Sequence, residues 1–215
     1  MTEVRRETTL KKNTRNKADK IRRILEASKL LTEEKGYESV TIRDIATQAD
    51  ISIGLIYKYF PTGKPEIIRE IGLSFATELK AASQPEIIDF TNFPEFLHNL
   101  FRQTLKYYKS NRRFLAALAQ AALQDQDVFE SFEELGTETM EEAVKLFDRF
   151  EDIDFQRNTN PGLFVAKWSD VTKSILLHHV LYPTPFDSDE ELVQLLVKIS
   201  LVMWNYERTE ENDLP

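Results

Sequence analysis

The part of the chain that constrains the fold most is residues 41–64, TIRDIATQADISIGLIYKYFPTGK. Apolar residues recur there at Ile42, Ile45, Ala46 and Ala49, which is the i, i+3, i+4, i+7 spacing of one helix face. A second helical pattern begins after a turn of only three residues. Two short helices so close in sequence must pack against each other. The segment therefore predicts a helix-turn-helix, with helices over about 41–48 and 52–59.

Capping residues precede both of these patterns. Thr41 with Asp44 three residues later is a variant of the capping box, and Ser52 can accept a hydrogen bond from a backbone N–H at the start of the second helix. The inward face of the second helix is predicted to consist of Ile51, Ile56 and Phe60.

The outer face of the second helix is unusually apolar for a helix that reads DNA bases. A recognition helix presents its N-terminal and outer residues to the major groove. Aliphatic side chains there can contact thymine methyl groups, a glycine allows the backbone to approach the bases, and an arginine suits guanine. We therefore expect thymine-rich positions under this helix and a guanine near Arg43. The predicted outer residues are Ser52, Ile53, Gly54, Leu55, Tyr57 and Lys58.

The remaining sequence predicts an all-α protein, because it has only six glycines and no convincing run of alternating apolar residues. The first helix is expected to end at Gly36 as its C-cap. Further helices are predicted over about 16–35, 65–82, up to 109, up to 124, 128–150, 162–182 and 188–206.

Charge divides the chain into a basic head and an acidic body. Residues 1–64 hold 14 Lys and Arg against 9 Asp and Glu, whereas residues 65–215 hold 14 against 27. This asymmetry fits a protein that places one end on a polyanion, although an uneven scatter of surface charge would also produce it. The predicted domains are a basic flexible arm (1–15), a helix-turn-helix DNA-binding domain (16–64), a helical ligand-binding and dimerisation domain (65–206) and a C-terminal tail (207–215).

Several classes of protein are disfavoured by composition. The chain has no cysteine, which excludes disulfides and thiolate metal sites and fits a reducing compartment. No apolar run approaches the roughly 20 residues of a membrane span, and no secretion signal is recognisable. We therefore expect a cytoplasmic protein without a membrane partner.

Residues 17–70 resemble the N-terminal DNA-binding domain of the tetracycline-repressor (TetR) family of transcriptional regulators. The resemblance rests on Gly36-Tyr37, Thr41, Ile45-Ala46, Tyr57, Phe60 and Lys64. It implies a homodimeric repressor on a palindromic double-stranded DNA operator, released when a small, mostly apolar effector fills a cavity in the C-terminal domain. By position it assigns phosphate contacts to Thr41, Tyr57 and Lys64 and base-facing sites to Arg43, Ile53, Gly54 and Leu55.

Asp50 departs from the family pattern, which most often has glycine in this turn. Because Asp tolerates the left-handed backbone conformation better than most residues, we expect the turn to form nonetheless.

The effector site is predicted from aromatic enrichment after residue 90. Aromatic residues with a few polar ones line ligand cavities between helices, but the same pattern also describes an ordinary core. The predicted lining is Phe96, His98, Asn99, Gln103, Tyr107, Phe114, Phe132, Phe147 and Trp168.

The last two helices each carry more than one apolar stripe. One stripe can serve the core and another a two-fold partner, and a buried monomeric hairpin is the alternative. In the final helix the stripes are Leu192, Leu196, Ile199, Met203 and Tyr206, and Val193, Val197, Leu201 and Trp204. The predicted dimer residues are Val171, Ile175, His179, Leu196, Val197, Met203 and Trp204.

Three alternatives stay open. The C-terminal domain could sense a protein partner instead of a small molecule. A helical enzyme is disfavoured because the sequence offers no nucleophile with a base, no metal-ligand spacing and no phosphate loop, and no cofactor is expected. The basic residues near the N-terminus could be a disordered tail or could reach DNA. These residues are Arg5, Arg6, Lys11, Lys12, Arg15 and Lys17.

Overall fold

In a computed structural model, the backbone is described for residues 2–83, 88–126, 128, 141–153 and 160–206, with side chains in these ranges except at residues 2–15 and Ser83. The regular elements of these ranges are all α-helices, which confirms the all-α class. None of the described helices is long and apolar enough to cross a membrane. They are α1 (Thr2–Lys35), α2 (Ile42–Ala49), α3 (Ile53–Tyr59), α4 (Lys64–Ser83), α5 (Phe93–Ser110), α6 (Arg112–Gln124), α7 (141–147), α8 (Pro161–Leu181) and α9 (Asp189–Met203).

The first helix differs from its prediction, because α1 begins at Thr2 and residues 2–15 are helical rather than an irregular arm. No glycine or proline precedes Gly36, and residues 16–35 already supply the costly helical nucleus, so extension toward the N-terminus costs little. At the other end, Gly36 has φ of 78°, which confirms it as the residue that terminates the helix.

The predicted helix over 128–150 lies mostly outside the described residues. Its described C-terminal part, α7, ends at 147 instead of 150, because residues 148 and 149 adopt a turn.

Two compact units divide the chain. The first comprises Met1–Phe75 and Arg113–Glu133, and the second comprises Ala76–Arg112 and Glu134–Pro215. The boundaries between them fall within α4 and at the start of α6. The predicted domains are functional ones, and their limits remain a prediction.

The core of the first unit is built from aliphatic residues of α1, α2, α3 and α4, closed by Phe114 and neighbouring residues of α6. Ile56 and Phe60 are buried and Ile51 packs against the core, which confirms the predicted inward face of α3. Ala46 is also buried, so a small side chain stands where α2 meets α3.

The core of the second unit is mainly aromatic. Phe93 is fully buried and contacts Phe147, Phe150 and Trp204 edge-on, with ring centroids 5.1 to 6.0 Å apart. The indole of Trp168 donates a hydrogen bond of 2.8 Å to the Ser200 hydroxyl. These contacts join α5, α7, α8 and α9 around one centre.

The apolar residues of α9 do not separate into the two predicted faces, so that prediction is wrong. Its buried residues are Leu192, Val193, Leu196 and Ser200, followed by Trp204 at the C-cap. The inward face therefore takes members of both stripes, because the core lies against the boundary between them. The large hydrophobic residues that remain exposed on α9 are Leu195 and Val202, neither of which belongs to either stripe.

Candidate nucleic-acid interface

The N-terminus of α2 is closed by the predicted capping box. The Thr41 hydroxyl accepts from the Asp44 N–H at 3.2 Å, and the Thr41 N–H donates to the Asp44 carboxylate at 2.9 Å. The same carboxylate accepts from the Thr41 hydroxyl at 2.7 Å, and these bonds hold the pKa of Asp44 below its usual value. Asp44 is therefore an anion at the point where Thr41 is predicted to meet a phosphate.

The turn between α2 and α3 forms as predicted. Asp50 has φ of 52° and ψ of 54°, in the left-handed region, and its N–H bonds the carbonyls at the end of α2. Ser52 then caps α3, accepting from the Leu55 N–H at 3.3 Å. Local side chains therefore fix both the exit from α2 and the entry into α3.

The outer face of α3 exposes apolar side chains. Ile53 is 40% exposed and Tyr57 48% exposed, whereas Leu55 is only half-exposed. At Gly54, a Cβ atom would meet no other atom within 4 Å. Nothing in the described fold therefore requires glycine at this position.

An open depression lies between α2 and α3 on this side of the first unit. It contains Arg43 and Ile53, which brings together two of the residues predicted to face bases. Leu55, Tyr57 and Lys58 are not part of its lining. The full lining is Arg43, Ala46, Thr47, Asp50, Ile51, Ser52 and Ile53.

Thr47 and Arg23 lie at this surface and are not among the predicted DNA contacts. Thr47, whose hydroxyl donates to the Arg43 carbonyl at 2.9 Å, lines the depression and lies one helical turn after Arg43. Its spacing could have identified it. Arg23 of α1 reaches Asp50 across 27 positions, and no sequence pattern indicates that contact.

The environment of Lys64 differs from the one expected for a phosphate contact. Its ammonium donates to the carbonyl oxygens of Tyr37 and Val40 and lies over the Tyr37 ring. Burial is the main reason that the pKa of Lys64 is lowered. The ammonium has three N–H donors and these two carbonyls take two of them, so one donor is left for a phosphate.

The predicted effector-site residues do not form one group. Phe96, Phe147 and Trp168 belong to the aromatic core of the second unit, whereas Phe114 is fully buried in the core of the first. Phe132 lies outside the described residues. Three of the polar members already have partners within the second unit, and Gln103 is half-buried. These pairs are His98 with Glu190, Asn99 with Glu95, and Tyr107 with Glu78.

The predicted dimer residues also divide into two sets. Leu196 and Trp204 are buried in the second unit and cannot face a partner, which corrects those two predictions. His179 is turned inward as well, with ring nitrogens 2.6 Å from the Thr184 hydroxyl and 3.2 Å from Asp189. Val171 is 42% exposed, and Ile175, Val197 and Met203 are half-exposed.

These features define a helix-turn-helix protein with a helical C-terminal region. Residues 24–71 match the family model described as bacterial regulatory proteins, tetR family. The match covers the helix-turn-helix region, so this part of the chain is similar to that family.

Two curated repressors resemble the same region. The HTH-type transcriptional repressor KstR of Mycobacterium tuberculosis is 34% identical over 55 residues, which cover 26% of this chain and 25% of the repressor. KstR of Rhodococcus jostii is 44% identical over 41 residues, 19% of each chain. The chain thus spans about a quarter or less of the curated relatives it matches.

Solved structures share the fold over most of the chain. A TetR-family regulator from Syntrophomonas wolfei superposes with a TM-score of 0.67 at 17% identity, covering 86% of this chain and 95% of that one. GusR from Salmonella enterica superposes with a TM-score of 0.66 at 16% identity, with the same coverage. At these identities the likeness concerns the fold.

Proposed function

We propose that this chain is a transcriptional repressor that binds double-stranded DNA as a homodimer and leaves it when a small, mostly apolar molecule binds the C-terminal region. The observation that carries the DNA-binding part is the outer face of α3, where Ile53 and Tyr57 are exposed and the surroundings of Gly54 are empty. The match to the KstR repressors over this region supports it.

In the proposed complex, α3 lies in the major groove and α2 crosses the backbone. Ile53 contacts a thymine methyl group, Gly54 allows close approach, and Arg43, in the same depression as Ile53, reads a guanine. Thr41, Tyr57 and Lys58 contact phosphates, which fix the orientation without reading sequence. Ser52 serves mainly as the cap that orients α3.

The homodimer is proposed to form through the exposed sides of α8 and α9. Val171 on α8 and Val202 on α9 are exposed at 42% and 77%, so both offer apolar surface that a partner could cover. A two-fold pair would place its recognition helices about 34–36 Å apart on a near-palindromic operator. We expect this assembly to act in the cytoplasm.

Release by an effector would require the effector to bind one domain arrangement better than the other. Its binding region is proposed within the second unit, among Phe96, Phe147 and Trp168. These three side chains are apolar and buried, so an effector bound among them would be apolar.

DNA binding is tested by selecting duplexes from a randomised pool with the full chain and measuring gel retention at two salt concentrations. We expect retention of one near-palindromic sequence, weakened by salt because phosphate contacts release counterions. Ile53→Asp should abolish retention, whereas Leu123→Asp should preserve it, since Leu123 is 89% exposed on α6 and does not line the depression. A wild-type chain that enriches no sequence would overturn the proposal.

A further inference from the structure

Asp50 places a carboxylate on the surface proposed to receive DNA. Its side chain is 97% exposed and lines the same depression as Arg43 and Ile53. A negative charge at such a position opposes the approach of phosphates. A carboxylate here therefore needs a compensating charge.

Arg23 supplies a charge of opposite sign from a different helix. Its Nη2 atom lies 3.1 Å from Oδ2 of Asp50 and 3.2 Å from the Asp50 carbonyl oxygen. Asp50 is the C-cap of α2, so the guanidinium also lies at the negative end of that helix. The Arg23 guanidinium thus contacts both the side chain and the backbone of Asp50.

We propose that Arg23 is a positioning residue of the DNA interface, which acts through Asp50 by neutralising its carboxylate and holding the turn between α2 and α3. This inference rests on the proposed function. The pair also explains why the turn that faces DNA has an acid, Asp50, at its left-handed position: the acid is the partner of Arg23.

The effect is expected on DNA binding more than on folding. Asp50 is 97% exposed, and an ion pair with an exposed member contributes little to the stability of a fold. On a polyanion, in contrast, the unpaired carboxylate faces a high density of like charge. We expect Arg23→Met to weaken binding of the selected duplex by at least about tenfold.

The experiment measures gel retention of the selected duplex by the full chain carrying Arg23→Met, Asp50→Asn or both, with thermal unfolding recorded for each. The double variant is expected to return to within about twofold of wild type, because Asn removes the charge and still tolerates the left-handed conformation. A direct phosphate contact by Arg23, or a role only in folding, would leave the double variant weak.

Arg22 provides the matched control, since it pairs with Asp19 and Glu26 of its own helix. Arg22→Met makes the same change of charge one position away and should bind like wild type. Equal losses for Arg22→Met and Arg23→Met would attribute the effect to net charge and overturn the inference. Wild-type retention by Arg23→Met would overturn it while leaving the proposed function intact. If the wild-type chain enriched no duplex, both would fall.

Discussion

Lys64 donates from its ammonium to the carbonyl oxygen of Tyr37 at 2.9 Å, joining the first residue of α4 to the loop that follows α1. The carbonyl of Val40 accepts from the same ammonium at 3.2 Å. The ammonium also lies over the Tyr37 ring, 4.1 Å from the ring centroid. One lysine thus satisfies two carbonyls of the loop that leads into the helix-turn-helix.

Replacing Lys64 with Met should therefore destabilise the first unit. Two carbonyls lose a charged donor, and we expect the free energy of unfolding to fall by about 1 to 2 kcal/mol. Urea denaturation followed by circular dichroism measures the change. Lys58→Met, at an exposed position of α3, is the control, and equal midpoints for the two variants would show that the contacts of Lys64 do not stabilise the fold.

The capping box should make α2 sensitive to acid. The pKa of Asp44 is lowered by its bonds to Thr41, so this carboxylate adds stability that is present above its unfolded pKa and is lost as the pH falls through the folded pKa. We expect Asp44→Asn to be less stable than wild type at pH 7, with the difference shrinking below about pH 4.

Thermal unfolding at a series of pH values checks this expectation. Glu34→Gln, an exposed acid near the end of α1, is the control. A gap between Asp44→Asn and wild type that stayed constant down to pH 2 would contradict the role of the carboxylate.

Arg43→Ala should relax specificity at one base pair. If Arg43 reads guanine, discrimination at that position should drop by about 1 to 3 kcal/mol, while other positions keep theirs. Competition binding with single-base variants of the selected duplex measures it. Lys58→Ala should instead weaken all duplexes alike, and retained guanine discrimination in Arg43→Ala would refute the assignment.

Gly54→Ala should change folding and DNA binding in opposite directions. A Cβ at this position meets open space, so alanine should raise the free energy of unfolding by up to about 1 kcal/mol through its helix propensity. The same methyl group would separate α3 from the bases and weaken the selected duplex. Denaturation and gel retention of one preparation give both values, and unchanged retention would argue against close approach.

Val171→Glu should separate the protomers without unfolding them. A carboxylate on the exposed side of α8 would be buried without a partner in the proposed dimer, at a cost of several kcal/mol. Sedimentation velocity should show a monomer. Leu123→Glu carries the same charge at an exposed position of α6, and a dimer that persisted in Val171→Glu would exclude this face.

Local interactions explain which parts of the site the sequence predicts. The Thr41 and Ser52 caps and the left-handed Asp50 depend on residues within four positions, so they can be predicted from the sequence. Contacts over longer separations are not, and both Lys64 with Tyr37 and Arg23 with Asp50 join residues 27 positions apart.

The sequence also does not predict which apolar residues of α9 are buried. Leu196 and Val197 are both apolar, and only the position of the aromatic core decides that Leu196 is buried and Val197 half-exposed. Composition alone gives the wrong prediction for residues 2–15. This polar, basic segment is helical because it continues the helix formed by residues 16–35.

The packing of Trp168 against Trp204 has a spectroscopic consequence. These are the only tryptophans in the sequence, their ring centroids are 5.8 Å apart, and both belong to the second unit. Intrinsic indole emission therefore reports that unit and is silent about the helix-turn-helix. Two indoles so close should also couple in the near-ultraviolet, giving an optical signal for effector binding that needs neither a label nor DNA.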